Sequence, residues 1–240
     1  MRVKPVRPVD AAGLVLMRGS ADKPEVLMGR RHRRASFLPD IYVFPGGRVD
    51  AGDLAPSGYP ERIGSNLARQ LAIGHRRRDP MPLLRAAIRE TFEETGLLLT
   101  GTDHPAPTLK PAQAIWRAFA AAGRRPDFEG MDYICRAITP TASPKRFNTR
   151  FFLARDTDMT GSLAGDGELV DLAWRPVAAM WDMALVDVTE YVLREALKRW
   201  TERVSIGTRP ASLFCYVGET ARVLGRGGAR PGDAGRPPRA

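Results

Sequence analysis

Cysteine and histidine are scarce in this 240-residue chain, which has two of the first and three of the second. Cys135 and Cys215 are far apart and form no C-x-x-C pair, so neither a disulfide framework nor a thiolate zinc site is indicated. Two free thiols suit a reducing compartment, and a cytoplasmic location is expected. His32, His75 and His104 each stand alone, which leaves no His/Cys set for zinc. No apolar run reaches the ~18 residues of a membrane span, and residues 11–17 are too short a stretch for a signal peptide. There is no Walker loop, no local Ser-His-Asp signature and no internal repeat. Lysine is also sparse: the net charge of +10 is carried overwhelmingly by arginine. Such a charge raises nucleic-acid binding as a reading. Arginine together with abundant Ala, Gly and Pro is equally the mark of a GC-rich bacterial coding bias. A basic surface also steers small polyanions, so a small-molecule partner is expected and nucleic acid is not.

What the chain does have is Arg89-Glu90-Thr91-Phe92-Glu93-Glu94-Thr95-Gly96-Leu97. On a helix, Glu90, Glu93 and Glu94 fall within roughly a 100° arc, while Leu84, Ile88 and Phe92 face the other way, toward a core. Like charges at these spacings repel by about 0.2–0.5 kcal/mol per pair. Gly96 reads as the helix stop, and anions in a last turn oppose the macrodipole by about 0.3–1 kcal/mol each. A divalent cation, which takes carboxylate oxygens, would offset both penalties. The competing reading is a solvated acidic face. Arg89 beside the cluster, and Phe44-Pro45-Gly46-Gly47 at the end of a β-like segment upstream, favour a built site.

These residues resemble the Nudix box, G-x5-E-x7-R-E-U-x-E-E-x-G-U with U aliphatic. Gly47 and Arg89-Glu90-x-x-Glu93-Glu94-x-Gly96-Leu97 match it. Thr91 replaces an aliphatic residue, Asp53 stands where the family has Glu, and 35 residues rather than seven separate Asp53 from Arg89. The long insertion is similar to that of peroxisomal coenzyme A diphosphatases. Phe37-Leu38-Pro39, Val43-Phe44-Pro45-Gly46-Gly47 and the run from Arg146 to Phe152 also look like that subgroup.

Periodicity alone indicates α/β or α+β. The resemblance implies a Nudix-type αβα sandwich: a mixed β-sheet between helices over residues 8–205, with a helical insertion inside the box at about 51–79. Strands are read at residues 12–18, 25–31, 41–44, 97–99, 133–138, 149–154 and 169–174. Helices are read at about 61–73, from Asp79-Pro80 to Thr95, at 112–122, at 176–183, and after Asp187-Val188-Thr189-Glu190, which resembles a capping box. Residues 156–167 read as a mobile polar loop, and 219–240 as a disordered Gly/Arg/Pro-rich tail.

The resemblance implies metal-dependent hydrolysis of a nucleoside diphosphate linked to another moiety, with Mg²⁺ or Mn²⁺ as cofactor. Glu90, Glu93 and Glu94 are then the metal ligands, joined by the Gly47 carbonyl, with Arg89 orienting the glutamates and Glu90 and Glu93 catalytic. Asp53, Asp50 and Glu168, with Asp166 beside it, are candidates for a general base or second metal site. Arg146, Asn148 and Arg150 share one strand face, so Arg146 and Arg150, with Arg31, are candidate substrate contacts. The basic run His75-Arg76-Arg77-Arg78 is a further candidate, for the 3′-phosphate of coenzyme A. Coenzyme A or an acyl-coenzyme A is the leading substrate. ADP-ribose, for which Pro111 is the only pointer, dinucleotides and modified nucleotides are alternatives. So is a non-catalytic nucleotide sensor. A homodimer is a further expectation.

Overall fold

The computed structural model describes residues 6–72, 79–101, 113–155 and 159–225. The basic run 75–78, His104, Pro111 and the tail from 226 onward lie outside the described residues.

The chain begins with β1 (Val9–Gly19) and β2 (Pro24–Arg31), an antiparallel pair. β3 (Tyr42–Val43) and β4 (Gly46–Arg48) follow, then a 3₁₀ turn (Gly52–Leu54), α1 (Ser65–Leu71) and α2 (Met81–Thr95). Next come β5 (Leu98–Leu99), α3 (Ala114–Ala121), β6 (Asp132–Ile138), β7 (Phe147–Arg155), β8 (Met159–Thr160) and β9 (Leu169–Pro176). The last elements are α4 (Val177–Met180), α5 (Asp187–Thr201), β10 (Ser212–Val217) and β11 (Thr220–Leu224). The main sheet runs β11-β10-β6-β7-β1-β2-β3, with β4 pairing β1 and β9 pairing β2. It is mixed: β1–β7 and β6–β10 are parallel, and the other pairs antiparallel.

β1 lies inside this sheet, and its two faces explain the layers. Leu14 and Leu16 point into one apolar cluster with α1, α2 and α3, whereas Val15 and Met17 point into the other with α4 and α5. All four are fully buried. A strand covered on both faces needs a continuous apolar run rather than an alternating one, which Leu14 to Met17 supplies. The expected helix–sheet–helix sandwich is therefore the observed fold.

Helix α2 is wedged against β1 and β4. Leu83, Leu84, Ala86, Ala87 and Ile88 are all essentially inaccessible. Among the described residues no helix is long and apolar enough to cross a membrane.

Three expectations differ from the structure. The helix read at 61–73 is only Ser65–Leu71, because Leu67 and Leu71 alone are buried there. Residues 159–160, read as loop, form β8 against β5. Residues 220–224, grouped with the tail on composition, form β11, and with β10 they extend the sheet beyond residue 205. Their apolar residues Ala221 and Val223 pack on the α5 cluster, which composition does not reveal.

Candidate active site

The site is organised by α2. Asp79 accepts the Met81 N–H at 3.0 Å at its start, and Pro82 sits in its first turn, where no N–H partner is needed. At its end Gly96 takes φ 75°, the left-handed cap conformation. A side chain there would also press on the carbonyls of Ser162 and Ala164, at 2.7 and 2.8 Å. Two carbonyls left over at the helix end are taken by the loop after β8: Ala164 N–H donates to Thr95 at 2.9 Å and Asp166 N–H to Glu93 at 3.2 Å. That loop, read from sequence as mobile, is thus tied to α2, and Asp166 and Glu168 raise the pKa of Glu94 by their charge.

Arg89 is the hub of the acidic cluster. Its Nε and one Nη donate to the two oxygens of Asp53, at 2.9 and 2.8 Å. The other Nη donates to Glu90 at 2.8 Å and Glu93 at 2.9 Å, and a further bond reaches the Arg48 carbonyl at 3.0 Å. Glu94 points elsewhere and accepts the Gly46 N–H at 2.8 Å. Gly46 and Gly47 lie in register with Gly13 and Ala12 of β1. A Cβ on Gly46 would strike the Ala12 carbonyl, and one on Gly47 would strike the Glu90 carboxylate. The two glycines thus let the β4 backbone and the helix carboxylates approach each other.

Burial works against the charges on this helix. Glu90 is pushed up to about 7, chiefly by desolvation, with Arg89 pulling it down and Glu93 and Asp53 pushing it further up. Desolvation raises Glu94 to about 8, against the opposing Gly46 N–H and with added push from Glu90, Glu168 and Asp166. Burial also disfavours the Arg89 cation, but Asp53, Glu90 and Glu93 outweigh it and hold the guanidinium above its ordinary value. One guanidinium does not neutralise this many carboxylates.

The expected set of three converging glutamates is not preassembled. Among the described residues no three Asp, Glu, His or Cys side chains are gathered as a ligand group. Arg89 bridges Glu90 and Glu93, while Glu94 is turned to Gly46. The donor chemistry nevertheless fits a hard divalent ion. Glu90 and Glu94 are hard oxygen donors whose anionic forms burial penalises, and a cation relieves that penalty.

The glutamates open into a cleft of about 720 Å³, which Gly47, Arg89, Asp50, Glu168 and Arg31 also line. Asp53 does not line it. That carboxylate is fully buried, and besides Arg89 it accepts the Asp50 N–H at 2.8 Å. Arg146 and Arg150 also lie off the cleft wall, which takes Phe147, Thr149 and Phe151 from the same strand. Alternation did place the polar residues on one face, but the wall is made by the other. Arg150 is fully buried and bonds Asp10 at 2.9 Å, and Arg146 bonds the carbonyls of Thr139 and Val6. The sequence reading missed the Gly46 N–H and the cleft residues Lys145 and Phe147. Motif spacing carries no signal for them.

Comparison with known proteins gives these residues a context. No protein-family model matches the chain. It is 28% identical over 181 residues to the acyl-coenzyme A diphosphatase NUDT19 of Gallus gallus, covering 54% of this chain and 47% of that protein. To the acyl-coenzyme A diphosphatase NUDT19 of Xenopus laevis it is 32% identical over 99 residues, covering 31% and 25%. Among solved structures, the NUDIX hydrolase from Alicyclobacillus acidocaldarius is 28% identical and superposes with a TM-score of 0.59, over 80% of this chain and 92% of that one. The relatives are Nudix hydrolases, and this chain has their fold. It spans less than half the length of the two diphosphatases. Asp53 and Arg89, with 35 residues between them in the chain, are brought together in space.

Proposed function

We propose that the cleft hydrolyses the pyrophosphate bond of a nucleoside diphosphate linked to another moiety, with coenzyme A or an acyl-coenzyme A as substrate. The observation that carries this reading is the network on α2: Arg89 holds Glu90 and Glu93 together while Gly46 holds Glu94 beside the cleft. The similarity to two acyl-coenzyme A diphosphatases favours the substrate.

In this reading Glu90, Glu93 and Glu94, with the Gly47 carbonyl, hold Mg²⁺ or Mn²⁺. A bound divalent ion supplies charge neutralisation at phosphate oxygens and an acidified water. Arg89 keeps two glutamates oriented, and Asp53 keeps Arg89 oriented. Glu168 lines the cleft and has no ion-pair partner among the described residues, so its carboxylate is the proton acceptor. Asp50, the other candidate, is paired with Arg48 at 2.8 Å. Asp53 has both oxygens committed and is not a base.

The test is a phosphate-release screen of the purified protein with Mg²⁺ or Mn²⁺, comparing coenzyme A, an acyl-coenzyme A, ADP-ribose, NADH and dNTPs. Turnover of coenzyme A that Glu94→Gln removes is the expected result. Turnover of dNTPs without coenzyme A would overturn the substrate, and unchanged activity in Glu94→Gln would overturn the site.

A further inference from the structure

Phe147, Thr149 and Phe151 of β7 face the cleft, and Arg150 faces the other way. On that other face, Arg150 and Arg136 of β6 are direct cross-strand partners. Like charges so placed destabilise a sheet. Asp10 on β1 answers the first of them: it accepts an Arg150 Nη at 2.9 Å and the Asn148 amide at 2.8 Å. Arg136 has no carboxylate partner among the described residues. Its Nε donates to Asn148 Oδ1 at 2.9 Å, a neutral acceptor. Asp10 holds the nitrogen end of that amide, so its oxygen is fixed toward Arg136 and the guanidinium is aimed. Burial, and then Arg150, hold Arg136 below its ordinary value, against the opposing pull of Tyr133 and Asp10.

Beside Arg136 the surface opens into a pocket of about 200 Å³. Gln70 of α1, Tyr133 of β6, Ser212 and Leu213 of β10 and Leu224 of β11 line it with Arg136. It shares no residue with the catalytic cleft, and no acidic residue lines it. Alternation along β10 divides the two: Phe214 and Tyr216 reach the cleft, whereas Leu213 reaches the pocket. The other polar side chains are already engaged. Gln70 Nε2 donates to the Gly207 carbonyl at 3.3 Å, and its Oε1 accepts the Ala211 N–H at 2.9 Å. Ser212 Oγ accepts the Tyr191 hydroxyl at 2.8 Å. The charge of the pocket therefore comes from Arg136, and most of its remaining wall is apolar.

This composition selects a ligand. A guanidinium whose Nε is taken still presents two Nη groups side by side, a fork that matches the two oxygens of a carboxylate. One positive charge balances one negative charge. A phosphate dianion would bring further charge and a further oxygen against leucine, where an unpaired polar group is penalised. An alkyl group would instead cover Leu213 and Leu224, the second of which is 45% exposed. We propose that this pocket binds a small organic monocarboxylate, with its carboxylate on Arg136 and its apolar part against Leu213 and Leu224. The site calls on none of the glutamates of α2 and stands apart from the hydrolase reading.

Isothermal titration of the full chain tests it, comparing sodium butyrate with sodium phosphate at matched ionic strength in wild type, Arg136→Gln and Arg136→Lys. Butyrate should bind wild type, and more tightly than phosphate. Arg136→Gln should weaken butyrate on the order of tenfold, and Arg136→Lys, which keeps the charge without the fork, should recover part of the loss. Arg136→Gln removes one of two facing like charges, so it should melt no lower than wild type. Butyrate should raise the melting temperature of wild type and leave that of Arg136→Gln unchanged. Methyl resonances of wild type locate the ligand without any variant: those of Leu213 and Leu224 should shift. No binding of butyrate to wild type, equal affinity in Arg136→Gln, tighter binding of phosphate, or shifts confined to cleft residues such as Val43 and Val186 would each overturn the site.

Discussion

Asp53 and Arg89, separated by 35 residues, meet through two parallel hydrogen bonds of 2.9 and 2.8 Å, with Asp53 wholly out of solvent. The shorter carboxylate at this position is not idle. It sits behind the cleft and fixes the arginine that in turn spans Glu90 and Glu93. Replacing Asp53 with Asn breaks the buried two-bond pair that fixes the guanidinium, a loss of about 3–5 kcal/mol for a broken buried pair. Urea unfolding of Asp53→Asn measures it. A loss below about 1 kcal/mol would show that solvent reaches the pair.

Gly47→Ala places a methyl against the Glu90 carboxylate. The collision is with the far end of a side chain, so the fold survives and Glu90 moves aside. Circular dichroism melting should shift by only a few degrees while hydrolysis falls at least tenfold. Full activity in the alanine variant would place Glu90 outside the chemistry.

Glu61 ties the segment before α1 to α2 through a fork onto Arg85, with Nε–Oε1 at 2.7 Å, and Arg85 Nη1 donates to the Asp53 carbonyl. Burial raises the Glu61 carboxyl, but Arg85 and Ser57 outweigh it and leave the group below its ordinary 4.5. A carboxyl lowered on folding stabilises the protein above its unfolded value and loses that contribution as pH falls through the folded one. The advantage of wild type over Glu61→Gln should therefore be full above about pH 4.5, of the order of 3 kcal/mol, and shrink on acidification below that. A gap that widens in acid would contradict the ion pair.

Arg150→Gln separates a structural arginine from a substrate contact. Arg150 is buried against Asp10 and the Asn148 carbonyl. The variant should unfold at lower denaturant, while the KM of the folded fraction stays within about twofold of wild type. A KM raised tenfold at unchanged stability would return Arg150 to the cleft.

How much of this was legible in the chain depended on the range of the interactions. The α2 helix could be read because its determinants are local: the Asp79 start, the apolar spacing of Leu84 and Ile88, and the Gly96 stop. The strands around Leu14 to Met17 and Val26 to Met28 could be read because burial on both faces leaves an apolar run. Asp53 could be read as a box residue but not as the partner of Arg89, since side-chain direction across 35 residues depends on packing. Arg146 and Arg150 could be assigned to one strand face, but which face lines a cleft is settled by what packs on the other.

Taken alone, the sequence determined α2, the apolar strands of the sheet centre and the cluster of glutamates on one helix, because spacing along a backbone fixes direction within an element. Tertiary structure decided that Arg89 stands among those glutamates, that Gly46 holds Glu94, and that Phe147 at the start of β7 meets Phe37. Each of these joins segments far apart in the chain. Their proximity follows from sheet register and the burial of two apolar layers, which no local pattern encodes.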